Sequence, residues 1–426
     1  ICIMSISIAA NKPKEKMSLT TQILIATVGG IVFGALVGPW AANLKFIGDI
    51  FIRLIQMSVV LLVMTAVTAA IGNVDNKGAG KMSLHTFKWI IGLTTISAFV
   101  GLGLALVIQP GIGITIAGGA EAAALAAPEA SITETLLGFF STNIVGSMAS
   151  GAMIPCIVFA IIFGLAMGSY TRATGKTMIS EFVVGINGVI MNIIKMVMNL
   201  APIGIFCLLA NVSGAVGFAV IVPMLKFLGA LAIGSLILLF VYGFATATLL
   251  KINPFKMPSK FAKLAIMSMT TTSSAICLPT KMEDSVTKFG VSRKVSDFAG
   301  PITMTMNANG AVMCYVLAIF FMSQSTGIVL EPFQMGMAIL LSVMMCMGTI
   351  VVPGGMIIVY TFLATSMGLP LESVAILIGI DWFAGMFRTL LNNVVDVMIA
   401  MLVADKIGEL DRDVYNDKKT AEYLEV

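Results

Sequence analysis

LLSVMMCMGTIVVPGGMIIVY, residues 340–360, is an apolar run broken at its middle. Apolar stretches of about 20 residues are long enough to cross the hydrocarbon core of a bilayer as a helix. Pro353 lacks an amide donor, and Gly354 and Gly355 are poor helix formers, so one uninterrupted helix is disfavoured here. Val-Pro-Gly-Gly reads instead as a turn between two half-helices. Lipid offers no hydrogen bonds to exposed backbone, so such a tip must be buried in protein or line a wet cavity.

Working outward, the whole broken segment spans 333–370, and a second one of the same form lies at 258–292. Its breakers are Thr270-Thr271-Thr272-Ser273-Ser274 followed by Cys277-Leu278-Pro279. Each broken segment precedes a span that carries polar residues, 296–323 and 373–404, so the pattern is that of an internal repeat. Further apolar runs fall at 19–43, 48–73, 86–110, 132–169, 180–212 and 218–250. The expected fold is an all-α polytopic membrane protein with eight transmembrane helices and two re-entrant helical hairpins.

Composition supports this solvent. Hydrophobic residues make up 58% of the chain and charged residues 11%, against about 25% charged in soluble domains. Lys12, Lys14 and Lys16 precede the first span, Lys77 and Lys81 follow the second, Arg172 and Lys176 the fourth, and Lys251, Lys256, Lys260 and Lys263 the sixth. Loop 111–130 has no Lys or Arg. Positive charge marks the cytoplasmic side, which places both termini there, in the cell inner (plasma) membrane. Nothing in the stretch up to Lys16 reads as a cleaved leader. The basic residues form no single stripe, so no nucleic-acid partner is expected. The six cysteines are scattered and His85 is the only histidine, which argues against a metal cofactor or a histidine-based triad.

The densest polar cluster is on the last span: Asp381, Gly385, Arg388, Thr389, Asn392 and Asp396. Steps of three and four residues put them on one helix face. An ionisable group at that depth faces a cavity or a partner. Arg388 suits a carboxylate, since its planar fork binds both oxygens. The plainer reading is an ion pair from Arg388 to Asp381 or Asp396 that only orders packing. Asp396 with Asn392 suits a hard cation such as sodium, with a protonatable carboxyl as the competitor. The hydroxyls around Ser273 and Ser274 suit an anion at a hairpin tip. Thr303, Thr305, Asn307, Asn309 and Gly310 suit an unwound stretch with cation ligands. Arg53 and Lys195, also within spans, read as snorkelling residues.

In order and spacing these clusters resemble the glutamate transporter family, the dicarboxylate/amino acid:cation symporters, from about residue 19 to 405. Thr142-Asn143 and Ala201-Pro202-Ile203-Gly204 add to the likeness. The resemblance implies a homotrimer in membrane lipid that works as an elevator with the second hairpin as outer gate. The organisation it implies is a cytoplasmic N-terminus at 1–17, scaffold spans one and two at 18–83, and transport-domain span three at 84–112. An extracellular loop with scaffold spans four and five follows at 113–213, then the rest of the transport domain at 214–404 and a cytoplasmic tail at 405–426. No cofactor is implied beyond sodium as coupling ion.

By the same resemblance, substrate would meet Ser273, Ser274, Ala311, Val351, Val352, Gly385, Arg388, Thr389 and Asn392. One sodium would take Thr303, Asn307, Asn392 and Asp396, and another Thr305, Cys346, Met347 and Thr349. A third sodium site is expected to be lost, because an aspartate of the family is Asn309 here, and a tyrosine and a threonine are Leu93 and Ile96, leaving Ser97. The aspartate that would hold a substrate amino group is Gly385, which favours a dicarboxylate-like anion over an α-amino acid. The expected function is cation-coupled symport of a small anionic solute and not an enzymatic reaction. The rivals are a proton-coupled or neutral amino-acid carrier of the same fold, or an anion channel.

Overall fold

The structure is a computed structural model that describes residues 17, 19–72, 80–114, 137–138, 140–346 and 356–421. Among them the chain is helical almost throughout. Helix α1 (Leu19–Val37) passes through a short 3-10 segment, Gly38–Leu44, into α2 (Lys45–Gly72), and α3 (Gly80–Ile108) follows. After α4 (Ile144–Ser150) and α5 (Met153–Thr174) come α6 (Met178–Met198) and α7 (Ala201–Val216). The apolar run 180–212 is thus two helices rather than one span. Pro202 lies in the first turn of α7, where a missing amide hydrogen leaves no bond unmade.

Helix α8 (Ile221–Leu250) leads to a helical hairpin, α9 (Met257–Thr271) and α10 (Ser274–Thr287). The turn falls where the Ser/Thr run lies: Thr272 adopts a left-handed φ of 49°, and the Ser273 side chain caps α10 by accepting from the Ile276 amide. Helices α11 (Arg293–Met306) and α12 (Asn309–Thr326) are one span interrupted at Asn307 and Ala308. Beyond them lie α13 (Pro332–Cys346), α14 (Met356–Ser366), α15 (Glu372–Gly379), α16 (Asp381–Lys406) and α17 (Arg412–Tyr415). The run 373–404 breaks at Ile380, just ahead of the polar face. Residues 347–355, with the Val-Pro-Gly-Gly tip, lie outside the described residues.

Seven helical stretches among the described residues are long and apolar enough to cross a membrane. Their outward faces carry exposed apolar side chains, such as Leu36, Leu165, Leu236 and Phe240. That is a lipid-facing pattern, because water would not tolerate it at this scale. Arg53 and Lys195 are exposed among them. The opposite case is α12, apolar on all sides, in which no residue from Val312 to Met322 is more than 3% exposed. A helix without a polar face belongs in the core.

Packing divides the helices into two groups. Helices α1, α2, α5, α6 and α7 pack mainly on one another, with Gly30 and Gly34 letting α1 approach the α7 backbone closely. Helices α3, α8 and α12 surround α16 together with α9, α10 and α11. Helices α14 and α15 touch both groups. The tail folds back on the hairpin: the Ser292 amide bonds to the Glu409 carbonyl, and Lys256 and Lys260 reach Asp417 at 2.8 and 2.6 Å. Those two ammonium groups, hydrogen-bonded to Asp417, lower its carboxyl to about 2.

Candidate functional site

The polar face of α16 meets the two interrupted elements at their breaks, and these contacts build the site. Gly310 sits at the start of α12 where a Cβ would lie 2.5 Å from the Arg388 carbonyl oxygen and 2.8 Å from its Cα. Only glycine permits that crossing. The Gly310 amide, freed by the break, donates to Asn392 Oδ1 at 2.7 Å. The polar side chain on α16 thereby satisfies a helix end that would otherwise be orphaned.

Arg388 lies at the anion end. Its Nη1 donates to Asp381 Oδ1 at 2.6 Å, to the Tyr360 hydroxyl at 3.3 Å and toward Cys314 Sγ at 3.9 Å. Asp381 is two turns back on the same helix, so the structural ion pair weighed from the sequence is present. It uses one edge of the guanidinium. Among the described residues every bond that Arg388 donates leaves from Nη1. Its Nη2 lies 3.5 Å from where a Gly385 Cβ would sit, and Thr272 of the hairpin turn is 3.4 Å from that same point. The space in front of Gly385 is therefore bounded by a guanidinium and a hairpin tip, with Ser274 and Thr389 buried and Ser273 half-buried. Ala311, one residue into α12 from Gly310, is 5% exposed.

Asp396, two turns further along α16, ends in a different cluster. Its Oδ1 accepts from Asn307 Nδ2 at 2.7 Å, and its Oδ2 accepts from Lys281 Nζ at 2.6 Å. A carboxylate only accepts, so Asn307 must present its amide hydrogens there and its oxygen elsewhere. That oxygen accepts from Asn309 Nδ2 at 2.5 Å, and Asn309 Oδ1 accepts from Ser97 Oγ at 2.9 Å. Tyr242 lies 2.9 Å from Ser97 Oγ and donates its hydroxyl to the Leu93 carbonyl at 2.6 Å. One carboxylate thus sets the direction of a relay that runs from α16 to α3. Thr303 is buried beside it, its hydroxyl bonded to the Ala299 carbonyl.

The relay explains why an asparagine suits position 309. An aspartate there would face Asn307 Oδ1 with an oxygen and bring a second charge into a fully buried position. Asn309→Asp is expected to destabilise the protein by about 3 kcal/mol, the range for an uncompensated buried charge. Thermal unfolding in detergent reads this as a drop of several degrees. An unchanged Tm would mean that the relay does not hold the asparagine in place.

The sequence-derived candidates divide accordingly. Thr303, Asn307, Asn309, Asn392 and Asp396 are brought together, and Ser97 joins them. Leu93 contributes its carbonyl to Tyr242, and Ile96 is exposed at 47% on the outer side of α3. Thr305 is exposed, with its hydroxyl bonded to the Pro301 and Ile302 carbonyls. Met347, Thr349, Val351 and Val352 lie outside the described residues, as does the side chain of Cys346. Sequence reading missed Lys281, Tyr242, Tyr360 and Cys314. For Lys281 a signal was present: it is the first charge after the apolar and hydroxylic run that follows Lys263, two residues past Pro279. No group of three or more metal-binding side chains occurs among the described residues.

Broken helices whose ends and polar side chains converge inside a lipid-exposed helical body define a membrane transporter. The chain belongs to the sodium:dicarboxylate symporter family, whose sequence profile it matches over residues 19–406. It is 31% identical to a proton/glutamate-aspartate symporter of Bacillus subtilis over 92% of this chain and 95% of the relative. A proton/sodium-glutamate symport protein of Bacillus caldotenax is 29% identical, covering 96% of this chain and 98% of the relative. A C4-dicarboxylate transport protein of Agrobacterium fabrum is also 29% identical, over 96% of this chain and 93% of its own length. These relatives are transporters, not enzymes, and the family uses no cofactor.

Proposed function

We propose that this chain carries a small dicarboxylate across the plasma membrane together with a cation. The carrying observation is the space in front of Gly385: Arg388 Nη2 borders it, and no acidic side chain stands at that position to hold a substrate ammonium. Arg388 would take one substrate carboxylate on its free edge while Asp381 and Tyr360 hold the other edge still. A preoriented guanidinium loses little freedom on binding, which favours affinity.

The division of the helices into two packed groups supports an elevator motion, in which α3, α8–α12 and α16, together with both hairpins, travel against α1, α2 and α5–α7. A homotrimer with both termini cytoplasmic is the arrangement in which we place that motion. For the coupling cation we favour sodium at Thr305 with Cys346, Met347 and Thr349. Two of the relatives above are named as proton symporters, one of them with sodium as well, and this supplies the second reading: the same carrier driven by protons. Replacing external sodium with choline at fixed pH separates these, because sodium coupling predicts lost uptake and proton coupling predicts unchanged uptake.

The test of the whole reading is uptake of radiolabelled C4 dicarboxylate into proteoliposomes. Wild type is expected to accumulate it, and Arg388→Ala to lose at least about 90% of the rate, since a buried carboxylate without its partner costs several kcal/mol. Arg388→Lys should recover only a minor part, because an ammonium cannot replace the bidentate fork. Unchanged uptake in Arg388→Ala sinks the proposal. Steady current without a solute gradient would mark an anion channel instead.

A further inference from the structure

We infer that Lys281 is a tethered cation: its ammonium occupies the position beside Asp396 that a coupling sodium ion would need, so no sodium binds there. The inference rests on the carrier reading only for its consequence in transport. The binding claim stands on the geometry.

Lys281 and Asp396 are each 1% exposed, and Nζ lies 2.6 Å from Oδ2. They come from different elements, the second arm of the hairpin and the last long helix, 115 residues apart in sequence. Lys281 does not answer to the acids on its own arm. Glu283 pairs with Lys263, and Asp284 pairs with Lys288. A buried ammonium needs a counter-charge, and Asp396 supplies it.

A hard cation needs several oxygens at once. Of the oxygens that sequence reading offered to it here, only the Thr303 hydroxyl, which donates to the Ala299 carbonyl, accepts nothing among the bonds described. Both oxygens of Asp396 accept, one from Lys281 and one from Asn307. Asn307 Oδ1 accepts from Asn309, and Asn392 Oδ1 accepts from the Gly310 amide. Turning either amide to face a cation would break a bond that closes the relay or the start of α12. A sodium ion added beside Lys281 would also put two positive charges on one carboxylate. The residues therefore fit the ammonium and not a free ion.

The consequence is a carrier whose Asp396 position is filled by a cation tethered to the chain, which cannot leave with the solute as a free ion does. It would move one cation fewer per solute than a carrier with a free carboxylate there. Hairpin and last helix would also remain pinned whether or not sodium is present.

The experiment is equilibrium binding of radioactive sodium to the purified full-length protein, with thermal unfolding in sodium against choline at constant pH and ionic strength. Four forms are compared: wild type, Lys281→Ala, Lys281→Met/Asp396→Asn and Lys281→Ala/Asp396→Asn. Lys281→Ala is expected to gain sodium affinity by about tenfold or more, and with it a sodium-dependent rise in Tm larger than that of wild type. Adding Asp396→Asn should remove that gain. The neutral pair Lys281→Met/Asp396→Asn should bind sodium as wild type does, since neither uses this position. Two results overturn the inference. One is sodium binding about tenfold weaker in the neutral pair than in wild type, which would make Asp396 a sodium ligand. The other is a folded Lys281→Ala with no gain. Should Lys281→Ala fold only in sodium, that supports the inference. Should it fold in neither salt, the neutral pair alone decides. Failure of dicarboxylate to stabilise or enter would count against the carrier reading and leaves the sodium readout untouched.

Discussion

Gly310→Ala is expected to yield no functional carrier. The added methyl group would sit 2.5 Å from the Arg388 carbonyl oxygen and 2.8 Å from its Cα, both backbone atoms of a largely buried helix. Overpacking a core costs about 1–3 kcal/mol when side chains can yield. Here the main chain would have to move, so the loss should reach or exceed the upper end. Separation of α12 from α16 would also break the Gly310–Asn392 bond and displace Arg388. The measurement is thermal unfolding in detergent beside dicarboxylate uptake, with Gly92→Ala as control. A Cβ at Gly92 meets nothing within 4 Å, and alanine is the better helix former, so the control should be neutral or slightly stabilising. Wild-type stability in Gly310→Ala would mean that the two helices do not cross this closely.

Gly385→Asp is expected to exchange one substrate preference for another without unfolding the protein. Its Cβ would meet Thr272 at 3.4 Å and Arg388 Nη2 at 3.5 Å, both ordinary contacts, so the side chain fits. The new carboxylate would then pair with the guanidinium edge proposed above to hold substrate and repel a second carboxylate beside it. Like charges about 4 Å apart at an effective dielectric near 20 repel by roughly 4 kcal/mol, and partial solvation reduces that. We expect dicarboxylate affinity to fall by about thirtyfold or more, close to 2 kcal/mol. An acidic amino acid should lose less, since its ammonium can answer the added charge. Competition uptake with paired dicarboxylate and amino-acid substrates checks this. Equal losses for both would show that position 385 does not set the choice.

The sequence was most legible where the physics is local. Apolar runs and the sparse charge determine a bilayer solvent, because hydropathy is a property of each segment by itself. The helix breaks fall where Thr272-Ser273 and Asn307-Ala308 stand, since hydroxyl and amide side chains compete for backbone hydrogen bonds. Periodicity alone put Asp381, Arg388, Asn392 and Asp396 on one face. Three apolar runs misled, 132–169, 180–212 and 373–404, because a left-handed glycine at 151, a proline in a first turn or a one-residue break leaves hydropathy unaltered.

What periodicity could not supply is the partner across the fold. Arg388 and Asp396 share a face and a chemistry, yet one is held by a neighbour on its own helix and the other by Lys281 on the hairpin. The first pairing can be counted along a helix. The second depends on which arm of the hairpin packs against α16, and in what register, so it exists only once the tertiary structure forms. Sequence by itself determined a membrane carrier with an arginine on the polar face of its last span. Only the packing decided that the carboxylate read as a cation ligand already has a cation of its own, because the free energy of a buried charge depends on what lies against it.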